Sequence, residues 1–92
     1  MTVNEFREEF KDHQLQTTLR HYKPQETVKV NWFKSVTHPA ECIMEAKIIS
    51  DKGLTVATGT YYSNTEYHGV DFLEVAENFA INNAFDNLKE VI

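Results

Sequence analysis

Lysine and aromatic side chains in the middle of the sequence are the residues best suited to chemistry. Aromatic rings stack on nucleic-acid bases and lysines pair with phosphates, so together they can hold a single strand without reading its sequence. The candidates are Phe33, Tyr61, Tyr62 and Tyr67, with Lys29, Lys34, Lys47 and Lys52. We expect Lys29 and Phe33 on one strand face, with Lys47 beside them across the sheet. The predicted site is Lys29, Phe33, Lys34, Lys47 and Tyr61; alternatively, the aromatic rings fill core or edge positions of strands.

The sequence offers little for catalysis or metal binding. Its four histidines are scattered without ligand spacing: His13, His21, His38 and His68. His38, Glu41 and Cys42 are close in sequence, but no second Cys or His pair completes a tetrahedral set. Glycine-rich phosphate loops, nucleophile elbows and Ser/His/Asp patterns are absent. We therefore predict a protein that is not an enzyme and uses no metal or other cofactor.

Length and charge limit the choice of partner. The 92 residues are enough for a single domain, 1–92, with one hydrophobic core. Fourteen acidic residues against nine basic ones give a net charge of −5. This balance counts against strong binding of nucleic acid by the whole surface, although it allows a local basic patch. It also fits the binding of a basic protein, or solubility alone.

Cysteine content and hydropathy indicate the compartment. Cys42 is the only cysteine, so no internal disulfide forms and a reducing cytoplasm is expected. The first residues lack the basic start and apolar run of a signal peptide. No apolar stretch approaches the roughly 20 residues that a membrane span needs. We predict a soluble cytoplasmic protein without a membrane partner.

Hydrophobic periodicity predicts an α+β fold: a helix, a three-stranded antiparallel meander and a second helix. Asn4 as a cap and the acidic residues after it predict the first helix over about residues 3–13, with a kink or second turn near His13. Alternation with a period of two predicts the strands. They are Thr27–Phe33 with one buried face, residues 42–49, and residues 54–62. A polar loop is predicted over residues 63–69.

The last predicted helix, which runs to about Glu90, has a clear packing pattern. Its central stripe is Leu73, Ala76, Ala80, Ala84, Leu88 and Val91. Alanines four residues apart share one helix face, so the helix backbone can lie close to its neighbour. Gly59, inside the third strand, indicates a bulge or a close backbone approach. We expect this helix to pack on one face of the sheet.

Two segments, covering roughly the C-terminal half, resemble phage single-strand annealing proteins of the Erf (essential recombination function) type and related recombination mediators. Residues 45–62 resemble that family's hairpin, with an Asp/Gly turn followed by an Ala-Thr-Gly strand. Residues 73–88 resemble its helix pattern, I-E-x-A-E-x-x-A-I-x-x-A-L-x-x-L. The chain departs from the family at Asn82-Asn83, where such proteins typically have Gly-Arg. That change removes a cation that a phosphate backbone would use.

The resemblance implies a non-catalytic phage or prophage protein that binds single-stranded DNA in recombination or replication and forms a homo-oligomeric ring. The alternative is an acidic interaction module that regulates or inhibits a protein of the replication or recombination machinery without binding DNA. Asn83 and the net charge of −5 motivate this alternative. The double-stranded RNA-binding domain has the same predicted element order, but its lysine-rich entry to the last helix is acidic here, so we do not predict that activity.

Overall fold

A three-stranded antiparallel sheet with a long helix on one face forms the body of the protein in the computed structural model, which describes residues 1–91 with side chains up to Lys89. In the order β1-β4-β5, its strands are β1 (Gln14–Lys23), β4 (Glu41–Ile49) and β5 (Thr55–Asn64). A separate sheet consists of β2 (Glu26–Asn31) and β3 (Lys34–His38). The helices are α1 (Val3–Glu9), α2 (Thr65–His68) and α3 (Phe72–Val91), with a 3-10 turn at Gly69–Asp71. The α+β class is confirmed, but five strands replace the predicted three.

The middle strand, β4, shows the predicted alternation. Its helix-facing side chains are buried, whereas the intervening side chains lie on the uncovered face of the sheet. The buried set is Cys42, Met44, Ala46 and Ile48. Apolar burial of this kind is the main favourable term in folding. The core of the domain therefore lies between this face of the sheet and α3.

Helix α3 lies almost in backbone contact with β5. The side chains of Ala76, Ala80 and Ala84 are completely buried. A Cβ atom added at Gly59 would lie 2.3 Å from the backbone nitrogen of Ala84 and 2.4 Å from the carbonyl oxygen of Ala80. The close approach that the alanine row and Gly59 predict is confirmed. Leu73 is partly exposed, unlike the rest of the stripe, and the side chain of Val91 lies outside the described part.

The first helix is shorter than predicted and has a different cap. Thr2, rather than Asn4, precedes it, and the Thr2 hydroxyl accepts a hydrogen bond from the Glu5 backbone N–H. The helix ends at Glu9. Its buried residue, Phe6, packs against Phe85 of α3 with ring centroids 5.4 Å apart. Helix α1 is thereby packed against the core, with Val3 partly buried beside Phe6.

Residues 14–23 form strand β1, so the predicted kink or second helical turn near His13 is wrong. Leu15 pairs with Ile48 and Leu19 pairs with Met44, which places both leucines on the face that α3 covers elsewhere. The register shifts around Arg20, and Tyr22 then pairs with Cys42 on the same face. A β-bulge of this kind changes the alternation by one residue. The helix-like spacing of these apolar residues therefore comes from a strand with a bulge.

The predicted polar loop over residues 63–69 is also wrong at its start. Ser63 and Asn64 complete β5 and are buried. The Asn64 side-chain oxygen accepts a hydrogen bond of 2.9 Å from the Tyr67 backbone N–H. This contact caps the short helix α2, because a side-chain oxygen at that position satisfies a free N–H group of the first turn.

Strands β2 and β3 form a hairpin, here called the arm (residues 26–38), that projects from the body between β1 and β4. Val28 pairs with Val36, and Thr27 pairs with Thr37. Every residue of β2 is exposed, so neither face of this strand is buried. The molecule is accordingly 59 Å long but only 21 and 18 Å across. The predicted strand over Thr27–Phe33 is therefore present as β2 up to Asn31, but its predicted buried face is wrong.

Candidate nucleic-acid interface

Two aromatic residues, Trp32 and Phe33, form the turn of the arm. Their exposed fractions are 89% and 99%. The Asn31 side-chain oxygen accepts a hydrogen bond of 2.8 Å from the Phe33 backbone N–H. Such an Asx turn reverses the chain without glycine, because the side chain replaces a backbone acceptor. At this turn two large apolar rings are exposed to water at the end of the molecule. They contribute nothing to the hydrophobic core.

Two lysines, Lys29 and Lys34, lie in the arm with these rings. The Nζ atom of Lys29 lies 5.9 Å from the ring centroid of Trp32, within the range of a cation–π contact. Lys34 follows Phe33 directly and pairs with Asn31 across the hairpin. Lys29, Asn31 and Trp32 also line a shallow hollow of about 250 Å³. The arm tip thus combines flat apolar rings with positive charge.

Charge is distributed unevenly along the chain. Residues 20–39, here called the basic segment, contain four basic side chains and one acidic side chain, a net charge of +3. The rest of the chain contains five basic and thirteen acidic side chains, a net charge of −8. A polyanion is attracted to the basic segment and repelled by the body. The overall charge of −5 therefore conceals a segment of opposite charge.

The structure brings together three of the five predicted site residues. Lys29, Phe33 and Lys34 lie in the arm. Lys47 belongs to the other sheet, so the expectation that it shares a face with Lys29 is wrong; its Nζ lies 3.6 Å from Glu45 Oε1. Tyr61 lies on the helix-covered face, opposite to Lys47, because it pairs with the buried Met44.

Tyr61 is held by its neighbours within the body. Its ring stacks on Phe79 of α3 with centroids 4.6 Å apart. Its hydroxyl lies 3.3 Å from Nε2 of His68, within hydrogen-bond distance. The ring is partly buried against the core cluster. The alternative interpretation, that a candidate aromatic residue fills a packing position, therefore describes Tyr61 better than base stacking does.

Sequence reasoning missed Trp32, which the alternation with Val28 and Val30 placed on a buried face. A signal was present in the sequence around it. Two short runs rich in Val and Thr, residues 27–30 and 35–37, flank the Trp-Phe pair symmetrically. The four residues between these runs, 31–34, are within the length of a hairpin connection. The turn lacks the usual glycine, and the alternation over residues 27–33 predicts one continuous strand.

A polar cluster around Glu41 joins the three strands of the central sheet at the end nearest the arm. The Tyr62 hydroxyl donates a hydrogen bond of 2.8 Å to Glu41 Oε2, and His21 Nε2 lies 3.2 Å from Glu41 Oε1. These two contacts, first the Tyr62 hydrogen bond and then that of His21, hold the pKa of Glu41 below its ordinary value. Because β1 ends and β4 begins here, the cluster joins the two strands that support the arm.

Replacing Glu41 with glutamine should reduce the acid sensitivity of the fold. A carboxyl whose pKa is lower in the folded state stabilises the protein above its unfolded pKa, and this contribution is lost as the pH falls through the folded pKa. In Glu41→Gln, the free energy of unfolding should therefore fall less between neutral and acidic pH than in the wild type. Urea unfolding at both pH values measures the difference. Glu77→Gln, an exposed carboxylate of α3, is the control, and an equal effect in both variants would contradict the assignment.

Comparison of the chain with protein-family models, with characterised proteins and with solved structures gives no match. The resemblance to Erf-type annealing proteins therefore stays a prediction. Among the side chains that the structure describes, residues 1–89, no three His, Cys, Asp or Glu are grouped so that they could hold a metal ion. None of the helices over residues 1–91 combines the length and apolar character that crossing a membrane requires.

A second concave region lies where the arm meets α2. It is a cleft of about 510 Å³, lined by the arm base and residues 65–70. Glu66 is its one charged lining residue, and Val70 contributes apolar surface. A carboxylate without a neighbouring cation repels phosphate. The cleft is therefore less suited to nucleic acid than the arm tip.

Proposed function

We propose that the protein binds single-stranded DNA through the tip of its arm, as a non-catalytic component of DNA recombination or replication related to phage annealing proteins. One observation carries this proposal: Trp32 and Phe33 stand almost fully exposed between Lys29 and Lys34 at the end of a projecting hairpin. Stacking on exposed bases and pairing with phosphates require these two kinds of side chain. The resemblance of residues 45–62 and 73–88 to the Erf-type family supports the same function.

Single strands suit the arm better than duplexes. The bases of a single strand are open to stacking, whereas those of a duplex are stacked on each other. The net charge of −8 outside the basic segment opposes contact between the body and a long phosphate backbone. Binding should therefore involve few phosphates and a short stretch of strand, and it should be sensitive to salt.

A titration of fluorescein-labelled oligo-dT, followed by anisotropy at several salt concentrations, tests the proposal. With at most four cations in the basic segment, the logarithm of the binding constant should fall against that of salt concentration with a slope no steeper than about −3. A duplex of equal length should bind more weakly. An absence of binding to oligo-dT at low salt and high protein concentration would refute the proposal.

Lys29→Ala should weaken this binding and reduce the magnitude of the salt slope by about 0.7, the contribution of one phosphate contact to a single strand. It also removes the cation beside the Trp32 ring. Lys52→Ala is the matched control, because Lys52 is an exposed lysine in the β4–β5 turn, at the end of the sheet away from the arm. Equal changes in both variants would indicate a general charge effect instead of a contact in the arm.

The acidic body supports a second proposal, that the protein binds a basic partner of the DNA-processing machinery and regulates or inhibits it. Carboxylates on α1 and α3 are exposed, including Glu5, Glu8, Glu74 and Glu77, whereas the side chain of Glu90 lies outside the described part. Opposite charges across an interface accelerate association and favour particular partners. Solvated helix surfaces carry similar patterns. For this reason the arm-based function is the preferred one.

Affinity capture from nuclease-treated bacterial lysate distinguishes the two functions. An acidic interaction module should retain a specific protein after nuclease treatment, and reversal of the α1 charges in Glu5→Lys/Glu8→Lys should release it. The DNA-binding function predicts that these two substitutions leave oligo-dT binding intact or strengthen it. Recovery of nucleic acid alone from untreated lysate would count against the interaction module.

A further inference from the structure

Strand β1 is an open edge of the central sheet. It pairs with β4 along one side, and the described chain places no strand on its other side. Open edges usually carry charges that prevent pairing with another strand. Residues 14–19 of β1, with the sequence Gln-Leu-Gln-Thr-Thr-Leu, carry none. Alternate residues of this uncharged run therefore present backbone N–H and C=O groups outward without a strand partner.

Apolar side chains adjoin this edge. Helix α3 packs over β4 and β5, which leaves the helix-side face of β1 only partly covered. Leu19 is 47% exposed, Leu15 is half-buried, and the ring of Tyr22 is half-exposed beside Phe72. The edge therefore has an apolar border, here called the leucine shelf (Leu15 and Leu19).

The opposite edge of the sheet is occupied by side chains of α3. Asn83 Nδ2 donates a hydrogen bond of 2.9 Å to the carbonyl oxygen of Thr60, and Asn87 Nδ2 donates one to the carbonyl oxygen of Thr58. Both acceptors belong to the edge strand β5. Addition of a strand to β5 would have to compete with these contacts. The two edges are therefore not equivalent, and β1 is the more accessible one.

We propose that β1 pairs antiparallel with β1 of a second copy of this chain, which extends the two sheets into one sheet of six strands. Opposed residues must point to the same face, so a two-fold axis through Thr17 is a suitable register. In that register Leu15 of each copy opposes Leu19 of the other, and the two leucine shelves cover each other. The apolar area that each monomer exposes at this edge is thereby removed from water.

Charge at the two ends of β1 favours the same arrangement. Residues 8–12, just before the strand, have a net charge of −2, and the far end of the strand carries Arg20 and Lys23. An antiparallel partner places the acidic end of one copy near the basic end of the other, whereas a parallel partner would place like charges together. The second copy is therefore complementary in backbone, in apolar surface and in charge.

The mass in solution tests the proposal and does not depend on DNA binding. Sedimentation analysis should show a concentration-dependent dimer, twice the monomer mass of 10.7 kDa. Leu19→Lys should convert it to a monomer, because it places a charge on the leucine shelf. Leu54→Lys is the matched control at a leucine that is 64% exposed in the β4–β5 turn, and this variant should stay dimeric. A monomeric wild type, an assembly larger than a dimer, or a dimer unaffected by Leu19→Lys would overturn the proposal.

Cysteine cross-linking tests the register independently. Opposed residues of antiparallel strands have Cα atoms about 4.5–5.5 Å apart, within the range of a disulfide. Thr17→Cys should therefore form a covalent dimer under mild oxidation. Gln14→Cys should not, because the two Gln14 residues would lie about 20 Å apart. The wild type is the blank, since Cys42 is fully buried. Cross-linking through Gln14→Cys but not through Thr17→Cys would overturn the register.

Discussion

Replacing both Trp32 and Phe33 with alanine is expected to weaken the binding of single-stranded DNA by at least about 30-fold. Loss of one base-stacking aromatic costs about 1 to 3 kcal/mol, so two such losses correspond to a factor of 30 or more. Both rings are exposed in the free protein, so their removal exposes no core surface. Anisotropy titrations of labelled oligo-dT with the wild type and the double variant measure the change.

The control for this prediction is Tyr67→Ala. Tyr67 is an exposed aromatic residue in α2, outside the arm, and its removal should leave the dissociation constant unchanged. Thermal unfolding should be nearly the same for the double variant and the wild type, because the arm packs mainly on itself. A double variant that retains wild-type affinity would exclude the arm tip as the binding surface.

Gly59→Ala is expected to lower the free energy of unfolding by about 3 kcal/mol or more, at the upper end of overpacking penalties. The added methyl group would meet backbone atoms of Ala80 and Ala84 at distances below 2.5 Å. Backbone of a long helix cannot rotate away as a side chain can, so α3 would have to separate from β5. Urea unfolding followed by far-UV circular dichroism measures the loss. The single Trp32 lies on the arm and would not report on this core.

Gly53→Ala is the comparison variant for this prediction. A Cβ at Gly53 would meet no atom within 4 Å, but the residue has a φ of 79°. Left-handed backbone costs a non-glycine residue about 1 to 2 kcal/mol. Gly53→Ala should therefore destabilise the protein less than Gly59→Ala. Equal losses, or no loss in Gly59→Ala, would contradict the direct contact between helix and strand.

The hairpin of β4 and β5 and the helix that covers it could be predicted from the sequence, because their signals are local and regular. The alternation in β4 marks one buried face without interruption. Gly53 supplies a positive φ at the turn. Gly59 and the alanine row indicate the same close contact from its two sides. Each signal agrees with the others, which is the usual condition for a reliable prediction.

Strand β1 and the turn of the arm could not be predicted, for two physical reasons. The bulge near Arg20 interrupts the alternation in β1, so Leu15, Leu19 and Tyr22 acquire a spacing that also fits a helix. The arm turns at Trp32 through an Asn side chain instead of a glycine. In both places a local irregularity interrupts the periodic pattern on which the prediction depends.

The sequence predicts only part of the candidate site. Lys29, Phe33 and Lys34 are neighbours in sequence and remain neighbours in the arm. The placement of Lys47 and Tyr61 depends on which strands pair. The pairing of β1 with β4 leaves both residues in the central sheet, away from the arm. Residues close in the chain were therefore grouped correctly, whereas residues that only the sheet could bring together were not.

A titration of ¹⁵N-labelled protein with unlabelled oligo-dT, followed by two-dimensional NMR, identifies the residues that contact DNA. The indole N–H of Trp32 gives a signal of its own, because this is the only tryptophan. Binding through the arm predicts that this signal and the backbone amides of residues 29–34 shift together. The amides of α1 and α3 should stay in place. Shifts confined to the body, or no shifts at low salt, would contradict the claim that the arm binds single-stranded DNA.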